Sequence, residues 1–129
     1  MFQTKRLPER PDVVAPDGSD VRVLLGLNGG TVAHFELAPG RVSVAVVHKT
    51  VEEIWYFVGG RGEMWREQEG REEVVAVGAG VCVTIPLGAR FQFRSFGPAA
   101  LAAVAVTMPP WPGDGEASVV EGLWAPSVR

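Results

Sequence analysis

Along most of this chain, apolar residues either alternate with polar ones or gather in short runs broken by glycine and proline. No window holds the three-to-four-residue period of an amphipathic helix. The pattern instead predicts strands over residues 21–27, 31–37, 42–48, 53–58, 63–66, 72–77, 81–85, 90–95 and 100–107. Asn28-Gly29-Gly30 joins the first two as a hairpin, because Asn and Gly accept positive φ at little cost. Pro39-Gly40, Gly59-Gly60-Arg61-Gly62, Gly78-Ala79-Gly80 and Pro86-Leu87-Gly88 punctuate the rest. About nine short strands at regular spacing predict an all-β domain closed into a barrel or jelly roll. Residues 1–20, polar and rich in proline, read as an irregular arm, and residues 21–107 as the barrel. Residues 108–129 hold Pro, Gly, Trp111 and Trp124, and read as a segment packed on the barrel or on a partner subunit.

The segment 40–62 breaks the pattern with a small polar island, His48, Glu52 and Glu53, between two apolar runs. Ionisable side chains inside apolar sequence are costly unless they face a wet cavity or a partner, so this segment reads as the wall of a pocket. Strand alternation turns Glu53, Trp55 and Phe57 to one face and Glu52 and Tyr56 to the other. It likewise sets Phe91 and Phe93 against Arg90 and Arg94, and His34 with Glu36 against Phe35 with Leu37. Trp65 fits either the pocket or a subunit face, while Arg61, Arg66 and Arg71 read as surface charges.

Composition narrows the function. The chain has 129 residues, a net charge of −3 and a pI near 5.4, which suits one domain. With no basic stripe, nucleic acid is not an expected partner. No apolar run has the length of a membrane span, and the start lacks the apolar core of a signal peptide. The single cysteine, Cys82, excludes an intramolecular disulfide and suits a reducing compartment, so the expected location is cytoplasmic. Lying mid-strand with no His or Lys beside it, Cys82 reads as a buried, inert thiol. No helix follows the Gly59–Gly62 turn, so it is not a phosphate loop. Sheet edges invite pairing, and the apolar tail offers a cover, so a homodimer with an outer sheet or the tail exchanged is expected.

Two spaced motifs resemble those of the cupins, a family of small β-barrels. The first family pattern, G-x5-H-x-H-x3,4-E-x6-G, runs here through Gly40, Val46, His48, Glu53 and Gly60. The second, G-x5-P-x-G-x2-H-x3-N, runs through Gly80, Pro86, Gly88, Phe91 and Ser95. The resemblance implies a cupin-type jelly-roll barrel over these strands. In the family it also implies a divalent metal held by three His and one Glu, but Val46 and Phe91 stand at two ligand positions and the chain has only two histidines. A metal here would need the unusual set His34, His48 and Glu53, a two-His-one-carboxylate face. That set forms if Pro39-Gly40 lies in a three-residue loop and fails if the loop has two, because one residue of register reverses every side chain.

The implied interior is aromatic, with His34, Trp55, Phe57, Phe91 and Phe93 as pocket candidates around His48 and Glu53. Such a cavity suits a small organic molecule that is apolar or aromatic with a polar handle. A Glu53 desolvated among rings has a raised pKa and can exchange protons with His48, the chemistry of an isomerase, cyclase or lyase. The alternatives are a non-catalytic binding or sensing module whose barrel is filled, and a metal-dependent cupin with an unusual ligand set.

Overall fold

The computed structural model describes residues 1–128 and is entirely β among them. Eleven strands form it: β1 (Val13–Val14), β2 (Asp20–Leu27), β3 (Gly30–Leu37), β4 (Val46–His48), β5 (Glu52–Gly59), β6 (Arg61–Gln68), β7 (Arg71–Gly78), β8 (Cys82–Ile85), β9 (Arg90–Ser95), β10 (Leu101–Met108) and β11 (Ala117–Val119). They lie in two antiparallel sheets, one in the order β1-β2-β3-β10-β5-β8 and one in the order β11-β4-β9-β6-β7. Consecutive strands repeatedly change sheet, and the two inner faces enclose the core as in a jelly roll. No helix among the described residues is long and apolar enough to cross a membrane.

Alternation decides what the core holds. Trp55 and Phe57 of β5, Phe91 and Phe93 of β9, Met64 of β6, and Leu101 and Ala103 of β10 all point inward and are almost fully buried. Burying each of the large side chains contributes about 1.5–3 kcal/mol. Two glycines permit close approach of the backbone. A Cβ at Gly60, where φ is 70°, would stand 2.2 Å from the Ala100 carbonyl oxygen, and one at Gly62 would stand 1.9 Å from that of Arg94.

The chain ends differ from the sequence reading. The arm before residue 20 is not wholly irregular, since Val13–Val14 pairs with β2. Residues 42–45 precede β4 without joining its ladder, apart from a single bridge from Val42 to Arg94. The C-terminal segment packs on its own barrel, over the outer face of the five-stranded sheet. There Gln92 accepts from the Trp124 amide at 3.0 Å and donates to the Trp124 and Ser43 carbonyls, each at 2.8 Å. The Arg94 guanidinium lies 4.2 Å from the centre of the Trp124 ring. Trp65 also faces outward here, beside Gln92 in register, and its indole donates to Glu72 at 2.8 Å. Trp65 therefore does not line the pocket.

Two further expectations are corrected. Cys82 is exposed, because in β8 it is Val83 and Ile85 that turn inward. Arg66 is more than a surface charge, for its guanidinium crosses from β6 to donate to the Thr84 carbonyl of β8 at 2.8 Å, tying one sheet to the other. Tyr56 does face outward, 50% exposed, flanked by exposed Ile54 and Val58.

Candidate functional site

One end of the barrel is solid and the other is hollow. Phe57, Phe93, Met64 and Leu101 fill the solid end. The hollow end is a cavity of about 610 Å³ whose walls include Phe35, Val46, His48, Glu53, Trp55 and Phe91. Trp55 marks the boundary. Its ring stacks flat on Phe35 at 5.0 Å and meets Phe91 and Phe93 edge-on at 5.8 and 5.2 Å. Phe57 and Phe93 thus face inward without reaching the cavity, which corrects their assignment to the pocket. Alternation sets the face of a side chain, but its depth along the strand decides whether it meets a void or other side chains.

His48 ends β4 and Glu53 is the second residue of β5, so the short corner between them brings both into the same wall. The corner is held by Glu116, whose carboxylate accepts from the Thr50 and Val51 amides at 2.8 and 3.0 Å and from the Thr50 hydroxyl. The Glu116 carbonyl also accepts from the Lys49 amide at 2.9 Å. Burial alone would raise the Glu116 pKa, but these hydrogen bonds outweigh it and hold the group below its usual value.

Glu53 is 3% exposed, and its Oε1 accepts from the Trp55 indole at 3.0 Å. Desolvation pushes its pKa up to about 7, against the Trp55 hydrogen bond and with help from the nearby Asp17 and Glu116 charges. His48 is 7% exposed, and its Nδ1 lies 3.7 Å from Glu53 Oε1 without a hydrogen-bond partner. Burial drives the His48 pKa down to about 4, with the Glu116 charge opposing. The imidazole is held edge-on between Phe91 at 5.3 Å and Trp111 at 5.2 Å. At neutral pH the pair is therefore an uncharged imidazole beside a carboxyl group near its midpoint. One can accept a proton and the other can give one.

His34 lies elsewhere. Strand β3 pairs with β2 and β10 in the six-stranded sheet, whereas β4 belongs to the other sheet between β11 and β9. The segment through Pro39-Gly40 crosses between sheets, so neither hairpin register applies. Phe35 faces the cavity and His34 faces out, opposite Arg22 in register and beside the Arg22–Glu36 ion pair. His34 is nonetheless 8% exposed, and its Nδ1 has no hydrogen-bond partner. Its pKa is lowered, first by burial and then by Arg22, with Glu36 opposing. His34 is therefore not a pocket residue, and the set His34, His48 and Glu53 cannot converge on one ion. Among the described residues no three potential ligand side chains cluster. With Val46 and Phe91 at two of the family's ligand positions, the donor set does not fit the metal that the cupin resemblance implies.

The cavity also takes residues that the sequence did not mark. Phe35 was placed on a face but not in a pocket. Thr107 enters from β10, Asp17 from the turn after β1, and Trp111 and Asp114 from the segment before β11. Only Trp111 carried a signal, as a large aromatic in a segment too apolar to be free.

No family model matches the chain, and no curated protein does. Solved structures match over nearly its whole length. An uncharacterized conserved protein with a double-stranded β-helix domain, from Klebsiella pneumoniae subsp. pneumoniae, is 19% identical with a TM-score of 0.71, over 95% of this chain and 100% of that one. A Streptomyces PAC13 variant in complex with uridine is 20% identical with a TM-score of 0.70, over 93% and 92%. Recombinant oxalate oxidase in complex with glycolate is 19% identical with a TM-score of 0.74, over 91% of this chain and 62% of that one. Identities this low speak to architecture alone, and the architecture is the cupin fold, a double-stranded β-helix.

Proposed function

We propose that the hollow end of the barrel binds a small, largely apolar organic molecule and that Glu53 and His48 move protons on it, as in an isomerase, cyclase or lyase. The observation that carries this reading is the 3.7 Å approach of the unpartnered His48 Nδ1 to the Glu53 carboxyl at the wall of a 610 Å³ cavity. Neutral His48 removes a proton from a carbon made acidic by a neighbouring carbonyl. Protonated Glu53 delivers its own proton to the carbonyl oxygen, or to a leaving hydroxyl that departs as water. The step leaves an imidazolium beside a carboxylate. Because the acid has the higher pKa of the two, about 7 against about 4, the proton returns from His48 to Glu53 and restores the resting pair.

The test needs no knowledge of the natural substrate. A simple cyclic ketone such as cyclohexanone, incubated with the protein in D₂O, exchanges its α-protons for deuterium if the pair works as described. The protein should speed exchange above buffer, and Glu53→Gln and His48→Gln should each lower that acceleration by about 10²-fold or more. Exchange no faster than in buffer removes the catalytic reading. Ketone binding without exchange would favour the second reading, a non-catalytic binding or sensing module, which Phe91 supports by filling a position that the family gives to a ligand.

A further inference from the structure

The cavity has a charge character of its own. Asp17 is buried and lines it, with Oδ1 accepting from the Ser19 amide at 2.9 Å and the Ser19 hydroxyl at 2.6 Å. Asp114 adds a carboxylate at the exposed rim, and Glu53 is a third acid on the wall. Among the described residues that line the cavity there is neither Lys nor Arg. Arg22 is committed to Glu36 on the outer face, and Arg66 to Thr84 and Glu73. What remains for a ligand is the unpartnered His48 Nδ1, more than nine-tenths buried, together with acid oxygens, since the Thr31 and Thr107 hydroxyls bond each other. The rest is apolar or aromatic. An anion here would leave water for a low-dielectric space that offers repulsion and no counter-charge. Hydroxyl and amine groups would instead find acceptors.

We infer that the cavity takes ring compounds whose polar substituents are hydroxyl or amine groups and turns away carboxylates and phosphates, with Asp17 and Asp114 setting that choice. This rests on reading the cavity as a ligand site, and it names the ligand class. The exclusion has two sources: the missing cation, and the two aspartates, Asp17 buried in the wall and Asp114 at the rim.

The experiment compares four probes that share one ring: benzyl alcohol, benzylamine, benzoate and phenyl phosphate. Their binding to the full chain is followed by ligand-observed NMR at mildly alkaline pH. The first two should bind at least about tenfold tighter than the last two. The double variant Asp17→Asn/Asp114→Asn should narrow the gap between benzyl alcohol and benzoate by about threefold or more. Asn at position 17 keeps a side-chain oxygen for Ser19, so the turn retains its hydrogen bonds, and an unchanged melting temperature verifies this. Benzoate or phenyl phosphate binding as tightly as benzyl alcohol overturns the inference, and so does an unchanged gap in the double variant. If none of the four binds, the ligand site itself falls. If anions bind while cyclohexanone still exchanges, only the charge selection falls.

Discussion

The Nδ1 atom of His48 stands 3.7 Å from Oε1 of Glu53, and burial has moved the two groups past one another in acidity. In water a carboxyl loses its proton well before an imidazolium does. Here the imidazole is the weaker base and the carboxyl the weaker acid, because each is cheaper to bury uncharged.

This crossing has a thermodynamic signature. Glu53, raised from 4.5 to about 7, holds its proton longer in the folded state, so its contribution to stability falls as pH rises through that window. His48, lowered from 6.5 to about 4, holds its proton less well when folded, so its contribution rises with pH from about 4 to 6.5. Over the shared window the two slopes offset. Relative to the parent, Glu53→Gln should gain stability with rising pH, and His48→Gln should lose it, each by about 3 kcal/mol across its window. Urea unfolding at a series of pH values measures this, and parallel curves for parent and variants would refute it.

Trp111 keeps water from His48. Replacing it by Ala should open that side of the imidazole and let its pKa climb from about 4 toward the ordinary 6.5. An NMR titration of the ring protons reads the shift. An unmoved midpoint would mean that Phe91 and the strands alone desolvate the ring.

Glu116 is a positioning residue. Glu116→Ala leaves the Thr50 and Val51 amides without acceptors, at a cost of about 1–3 kcal/mol. Hydrogen exchange at those two amides should quicken before exchange elsewhere does. Ketone exchange should slow as well, because the corner orients both His48 and Glu53. Gln at 116 should restore part of each, since its oxygen can still accept.

The solid end of the barrel should respond differently from the hollow end. Phe93→Ala should destabilise by about 3–5 kcal/mol, because a fully buried ring leaves a void. Phe35→Ala removes a half-buried ring from a wall that already faces a cavity, and should cost less. Thermal unfolding of the two variants compares them.

Gly122 anchors the C-terminal segment. A Cβ there would stand 2.4 Å from Gln92 Oε1 and 2.6 Å from Ala45 Cβ. Gly122→Ala should loosen the segment over the five-stranded sheet, and limited proteolysis should then cut near residue 122 faster than in the parent. Equal cutting rates would show that the Trp124 contacts hold the segment unaided.

Much of this protein was legible in the pattern of its residues. Strand alternation depends only on neighbours in the chain, so Trp55, Phe57, Phe91 and Phe93 could be turned inward, and Glu52 and Tyr56 outward, without coordinates. Gly40, Gly60, Gly80 and Gly88 all adopt positive φ, which glycine alone tolerates freely, so the spaced glycines of the two motifs carried real backbone information. The corner joining His48 to Glu53 is likewise local, and their proximity follows from its shortness.

The tertiary structure decided the rest, because those questions concern strands far apart in sequence. His34 was open to either face of a hairpin that does not exist, since β3 and β4 belong to different sheets. Phe57 and Phe93 share their faces with Trp55 and Phe91 yet meet packed side chains instead of a void, a matter of depth that alternation cannot express. Asp17, Thr107 and Glu116 reach the site or its supporting corner from segments whose local sequence gives no reason for it. Periodicity tells a residue which way to face, and only the packing of distant strands determines what it faces.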